Sequence, residues 1–304
     1  MTGLIEKASS IPDNAVKDFK IVARNINRVF QTKRGGEGKR EFTAIENVNL
    51  TVKKGEFVTI VGPSGCGKST LLDIFAGLSE PTSGDIYIDG RKVTGPALDR
   101  GIVLQGYALF PWRTVRQNIE YGLEIKKVKK RERKIISDRF IDLVDLKGFE
   151  DSFPYELSGG MRQRVAIARA LAYDPEVLLM DEPFAAVDAQ TRETLQDELL
   201  SIWEKTDKTI IFITHSIEEA VFLADRVAVM SSSPGRIKTI VNVTLPRPRR
   251  MSGTRNSIDF SRITGVVWNL LHDIKVPEEA GDSRTQTVQP YAEAEKQVAD
   301  SAAL

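Results

Sequence analysis

The sequence predicts an α/β fold, with a largely parallel sheet buried between helices and a helical segment inserted into it. Three observations predict this. Short, near-continuous apolar runs, such as residues 177–180 and 209–214, alternate with helical stretches, the pattern of strands buried on both faces. One such run, residues 57–61, passes through Gly62-Pro63-Ser64-Gly65-Cys66-Gly67-Lys68-Ser69-Thr70 into a helical stretch ending near Gly77. Between residues 115 and 147 the strand pattern gives way to charged helical periodicity.

The elements follow in order. Residues 1–18 are polar and unpatterned and read as a mobile tail. A strand runs from Phe19 to Phe30, and the glycine-rich, basic residues 31–41 read as a surface hairpin loop. Residues 48–52 form a strand that turns at Lys54-Gly55-Glu56 into the strand before the glycine loop. Turn signals at Ser83-Gly84-Asp85 and Asp89-Gly90 bracket a short strand at residues 86–88. Residues 101–104 form another strand, ending in Gln105. The helical insertion spans about residues 106–160, with Ile135, Ile136, Phe140, Leu143 and Val144 as its buried positions. Its basic run, residues 126–134, reads first as a solvated helix face and second as a contact for acidic lipid headgroups or a partner. Strands return at residues 177–180, 209–214, 227–230 and 237–245. Residues 246–250 read as a basic linker. Ile263, Val266, Val267, Leu270, Leu271 and Ile274 recur at helical spacing, which predicts an amphipathic core-packing helix. Residues 277–304 carry six acids against two bases and little apolar content, and are expected to be disordered.

Composition excludes several classes of function. The 304 residues carry 43 Lys and Arg against 42 Asp and Glu, so no global field favours nucleic acid. No run of 18 apolar residues exists to span a bilayer, and the start lacks the apolar region of a secretory signal. The single cysteine, Cys66, forms no internal disulfide and fits a reducing compartment. Only two histidines are present, His215 and His272, which argues against metal clusters.

The glycine loop fits G-x-x-x-x-G-K-[ST], the phosphate-binding pattern, and sits between a strand and a helix as that pattern requires. Its glycines let backbone N–H groups approach an anion, and the helix N-terminus adds partial positive charge. Lys68 is expected to reach the β- and γ-phosphates of ATP, and the Ser69 hydroxyl to ligate Mg²⁺. Asp181 ends an apolar strand and is the candidate Mg²⁺ carboxylate; Glu182 beside it is the candidate for polarising the attacking water. Ligands of parallel sheets sit at the carboxyl ends of strands, where the glycine loop, Gln105, Asp181 and His215 all fall. Cys66, near a helix N-terminus and Lys68, is expected to be a reactive thiolate shielded by nucleotide. Trp112 reads either as a core residue or as an anchor for a partner helix. Leu157-Ser158-Gly159-Gly160-Met161-Arg162-Gln163-Arg164 supplies a second glycine-flanked helix N-terminus, one more than a single nucleotide needs from one chain.

That stretch resembles the signature motif of ATP-binding-cassette proteins. The resemblance covers about residues 19–245 and includes the phosphate loop, the Q-loop at Gln105, the signature, Walker B at residues 177–182, the D-loop at Asp188 and the switch histidine His215, in order. It implies a P-loop NTPase sheet domain with an antiparallel β subdomain and an inserted helical subdomain. It implies that Phe30 stacks on adenine and that Gln105 completes the Mg²⁺ and water shell. Ser158, Gly159 and Gly160 then close on the γ-phosphate held by another subunit, with Asp188 at the seam and His215 on the γ-phosphate. Met161, and Ala185-Ala186-Val187 before Asp188, depart from the commonest forms without removing a functional side chain. The signature variant, Phe110-Pro111-Trp112 and Leu245-Pro246-Arg247-Pro248-Arg249 are similar to an importer subgroup for nitrate, sulfonates, taurine or bicarbonate. The implied partners are a second ATPase subunit, membrane permease subunits and an extracytoplasmic substrate-binding protein, at the cytoplasmic face of the inner membrane. An exporter ATPase or a non-transport ATPase of the same family is the alternative. The long coiled coils or second cassette of the non-transport members are missing from the sequence.

Overall fold

The computed structural model describes residues 4–6, 11, 16–34, 37–185, 187–206 and 208–274. Among these residues eleven strands form two sheets. In chain order they are β1 (Ile5–Glu6), β2 (Ile21–Arg34), β3 (Glu37–Val52), β4 (Phe57–Val61), β5 (Ser83–Ile88), β6 (Arg91–Lys92), β7 (Arg100–Val103), β8 (Val177–Asp181), β9 (Thr209–Thr214), β10 (Arg226–Met230) and β11 (Ile237–Asn242). The helices are α1 (Lys68–Ala76), α2 (Val115–Ile125), α3 (Lys130–Leu143), α4 (Gly159–Ala172), α5 (Ala189–Thr206), α6 (Ile217–Leu223), α7 (Met251–Thr254) and α8 (Ile258–Leu271).

The larger sheet has the order β1-β11-β10-β4-β9-β8-β7. Its five strands from β10 to β7 are parallel. They alternate cleanly between two cores. Phe57, Val61, Leu178, Met180, Ile210 and Phe212 pack on one side among residues of α4, α5, α6 and α8. Val58, Ile60, Leu179, Ile211 and Ile213 pack on the other, with α1 and the second sheet. Burial on both faces is why these strands read as unbroken apolar runs. The smaller sheet, β3-β2-β5-β6, is antiparallel. Helices α2 and α3 lie between β7 and α4 in sequence and pack on α4, forming the insertion.

Several expectations need correction. The N-terminal tail is partly tied down, because Ile5 and Glu6 pair with Val241 and Ile240 at the sheet edge. The hairpin expected as a loop over residues 31–41 is mostly ladder, with Gln31 opposite Glu41 and Phe30 opposite Phe42. Strand β11 is antiparallel and ends at Asn242, since no crossover helix separates it from β10. Within α3 one expected position departs: Ile135 is 64% exposed, while Ile136, Phe140 and Leu143 pack on the core beside buried Ser137 and Ile141, and Val144 just past the helix is buried. Residues 246–250 are no free linker, for Arg249 is only 1% exposed. Helix α8 does pack its apolar face inward, through Phe260, Ile263 and Val267. Ile274 lies past its end and is exposed. The acidic stretch 277–304 lies outside the described residues.

Candidate nucleotide site

The glycine loop joins β4 to α1. Gly67 caps α1 at φ 95 and supplies no side-chain cap, which leaves the first N–H groups of the helix open to an anion. A side chain at Gly67 would also meet the Ala44 carbonyl at 2.9 Å. Pro63, Ser64, Gly65 and Ser69 are exposed on this loop, Gly67 and Thr70 half-buried, and Gly62 buried. Lys68 is buried and folds back, donating to the carbonyls of Gly62 at 2.8 Å and Pro63 at 3.0 Å. The ammonium is thereby poised in the loop with bonds it can exchange for phosphate oxygens.

Cys66 does not meet expectation. Its thiol is 1% exposed, and burial pushes its pKa up more strongly than Lys68, 3.9 Å away, pulls it down. The neighbouring charge favours thiolate, but desolvation outweighs it.

Strand register gathers the other residues. Val61 lies beside Thr214, Ile213 beside Asp181, and Met180 beside Val103. The phosphate loop, His215, Asp181-Glu182 and the turn holding Gln105 therefore leave one edge of the sheet together. The Asp181 carboxyl is pushed up by burial first, with the Glu182 charge adding, while a hydrogen bond with Ser69 pulls it down. Its Oδ1 is buried without a hydrogen-bond partner. An orphaned carboxylate oxygen beside an exposed hydroxyl suits a hard cation such as Mg²⁺, which takes one or two carboxylates plus phosphate oxygens. Glu182 holds φ +41, the left-handed region, with its N–H bonded to the Ile213 carbonyl at 3.0 Å. Its Oε2 lies 3.1 Å from His215 Nδ1. Gln105 is exposed in the turn after β7.

The remaining residues stand apart. Ser158 caps α4, accepting from the Met161 N–H at 3.2 Å, and is exposed. Gly160 lets α4 approach α5 closely, since a Cβ there would lie 2.6 Å from Thr191 Cγ2. Gly159 between them is half-buried. Asp188 caps α5, and the Thr191 N–H, donating at 3.0 Å, holds its carboxyl below the ordinary range. Phe30 is 36% exposed on the smaller sheet, with the Arg28 guanidinium 4.7 Å from its ring centre.

Trp112 is no core residue; it is 71% exposed, next to Phe110, whose ring also meets Tyr121 at 4.6 Å. Sequence reading missed Arg169. Its guanidinium donates to the carbonyls of Ala108 at 2.7 Å and Tyr107 at 3.0 Å, fixing the loop after Gln105, where Gly106, Tyr107 and Ala108 all have positive φ. No local pattern marks an arginine sixty residues away as that loop's anchor.

Comparison with known proteins agrees with this geometry. A family model described as ABC transporter matches residues 45–185. An uncharacterized ABC transporter ATP-binding protein of Methanocaldococcus jannaschii is 51% identical over 269 residues, 88% of this chain and 97% of that protein. The nitrate import ATP-binding protein NrtD of Synechocystis is 52% identical over 222 residues, 73% of this chain and 82% of that protein. Among solved structures, the dimeric post-hydrolysis state of an ATP-binding cassette bound to ADP and Pi is 34% identical with a TM-score of 0.64, covering 74% of this chain and all of the other. The chain thus belongs to the ABC transporter family, as one of its ATP-binding subunits.

Proposed function

We propose that the chain hydrolyses ATP to power import of a small anion of the nitrate, sulfonate, taurine or bicarbonate type, as half of a head-to-tail dimer. The observation that carries the catalytic reading is the shared edge of β4, β9, β8 and β7, with the unpartnered Oδ1 of Asp181 at that edge and Glu182 at 3.1 Å from His215. The substrate class is supported by the similarity to a nitrate import subunit.

In this reading Lys68 exchanges its two loop carbonyls for β- and γ-phosphate oxygens. Ser69, Asp181 and Gln105 would hold Mg²⁺, whose chemistry is to neutralise charge on the β- and γ-phosphate oxygens. Glu182 takes a proton from the attacking water as its oxygen bonds to the γ-phosphorus and the bond to ADP breaks. His215 holds Glu182 in line and contacts the γ-phosphate. Phe30 offers a π-face to adenine. Ser158, Gly159 and Gly160 of a second subunit close the γ-phosphate from the other side, with Asp188 at the seam. Exposed Trp112 anchors a permease helix near Gln105. Among the described residues no helix is long and apolar enough to cross a membrane. The subunit is placed by this reading at the cytoplasmic membrane face, bound to its permease and served by an extracytoplasmic binding protein.

The test is uptake into vesicles carrying the chain with its permease and binding protein. ATP-dependent inward movement of nitrate, taurine, an alkanesulfonate or bicarbonate is expected. Outward movement alone, or uptake of none of these anions while another solute enters, contradicts the substrate reading.

A further inference from the structure

The Leu245-Pro246-Arg247-Pro248-Arg249 stretch lies outside the residues that match the family model, and nothing in the hydrolytic mechanism uses it. Its second arginine is nevertheless among the largest fully buried side chains of the protein. A buried guanidinium is costly unless its donors are satisfied. Arg249 spends those of its two terminal nitrogens on backbone carbonyls, chiefly at the end of α6, while its Nε has no partner. It donates to Val221 at 3.3 Å, Phe222 at 2.9 Å and Ala224 at 2.7 Å, and to Leu245 at 3.3 Å. The last carbonyls of a helix have no partners within it, so Arg249 serves as the C-terminal cap of α6.

Two further arginines, Arg247 and Arg255, converge on the same helix. Arg247 donates to the Leu223 carbonyl at 2.9 Å, pairs with Asp225 at 2.7 Å, and lies 4.2 Å from the ring centre of Trp203. Arg255 donates to Gln196 Oε1 at 3.0 Å and lies 5.5 Å from the Phe222 ring centre. Gln196 in turn donates to the buried Glu219 of α6 at 2.6 Å. Helix α8 packs on α6 from beyond.

The other end of α6 is the catalytic one. Ser216 caps it, accepting from the Glu219 N–H at 3.3 Å, and the Ser216 N–H is fixed by the Thr214 hydroxyl at 3.0 Å. His215 stands between those two residues. A helix of seven residues is about 10 Å long, too short to absorb a shift at one end without passing it to the other.

We propose that residues 245–255 are a clamp on α6, and that Arg249 is a positioning residue which, through this short helix, sets His215 against Glu182. The proposal rests on the role given to His215 above. Arg249 touches no nucleotide; its contribution is the orientation of another side chain, and a misplacement near 1 Å can cost about 10²-fold in rate.

The test is a double-mutant cycle in the permease-assembled transporter, read as kcat and KM for ATP hydrolysis. Arg249→Ala is expected to lower kcat on the order of tenfold to 10²-fold, with KM for ATP changed less than about threefold. In a His215→Ala background the same substitution is expected to lower kcat by less than about threefold, because the residue it positions is gone. Arg255→Ala, which leaves the buried cap intact, is expected to show the same non-additivity at smaller size and serves if Arg249→Ala does not fold. Equal losses in both backgrounds, for whichever of the two variants folds, overturn the clamp and leave the nucleotide site as described. A wild-type rate in His215→Ala alone instead overturns the role of His215, and the clamp with it.

Discussion

The nucleotide edge of the sheet and the N-terminus of α4 are both built to receive phosphate, yet they differ in what surrounds them. At the edge, one chain brings several of the set together: Lys68 sits within its loop, Asp181 ends the neighbouring strand with an unpartnered oxygen, and Glu182 meets His215. At α4, Ser158 has only its own helix for company, bonded to the Met161 N–H. In the proposed dimer, this glycine-flanked helix start with its exposed serine meets the γ-phosphate held by another subunit. The contrast is the one the proposed dimer accounts for: the α4 start of one subunit would complete the nucleotide site of another.

The largest effect that can sharpen this comparison is at Glu182. Glu182→Gln keeps the size and an acceptor but cannot take the proton, so hydrolysis in the assembled transporter should fall by about 10² to 10⁴. Equilibrium dialysis should show ATP still bound, since Lys68, Ser69 and Asp181 remain; lost binding would move Glu182 from chemistry to binding. Lys68→Ala should do the opposite and abolish ATP binding itself.

Ser158→Ala probes the other region. Removing the cap should cost about 1 kcal/mol in denaturant unfolding. It should also lower hydrolysis in the dimer while leaving ATP affinity of the isolated subunit unchanged. A matching loss of affinity in the isolated subunit would mean that Ser158 reaches the nucleotide of its own chain.

Trp112→Ala should weaken co-purification of the permease, with unfolding stability of the isolated subunit changed within about 0.5 kcal/mol, as for exposed side chains. Nucleotide loss with normal assembly would contradict the docking role. The smallest effect belongs to Ile135→Ala on α3, which should likewise stay within about 0.5 kcal/mol because the side chain is 64% exposed. A loss of several kcal/mol there would mean that this face is covered in solution.

Much of this was legible in the sequence, for identifiable reasons. Strands β4, β8 and β9 are buried on both faces, so their composition alone gives them away. The phosphate loop is contiguous, and Asp181 and His215 are each marked by the strand they follow. Features made by distant partners were not legible. The Arg249 contacts to the end of α6 span 25 to 28 residues, and a run of arginines and prolines reads locally as a linker. The β1 pairing reaches from residue 5 to residue 241. Cys66 was misjudged because its sequence neighbours report charge, whereas its burial comes from elsewhere in the fold. On α3, the spacing of Ile136, Phe140, Leu143 and Val144 marks the inward face, whereas Ile135, beside it in sequence, falls outside the part that α2 and α4 cover.

The sandwich is tested most directly by the mass of the Glu182→Gln subunit in solution. With saturating MgATP, sedimentation should show the mass of two subunits; with ADP, the mass of one; and with MgATP after Ser158→Arg is added, again the mass of one. A subunit that binds MgATP yet stays single, or a doubling that survives Ser158→Arg, would contradict the account.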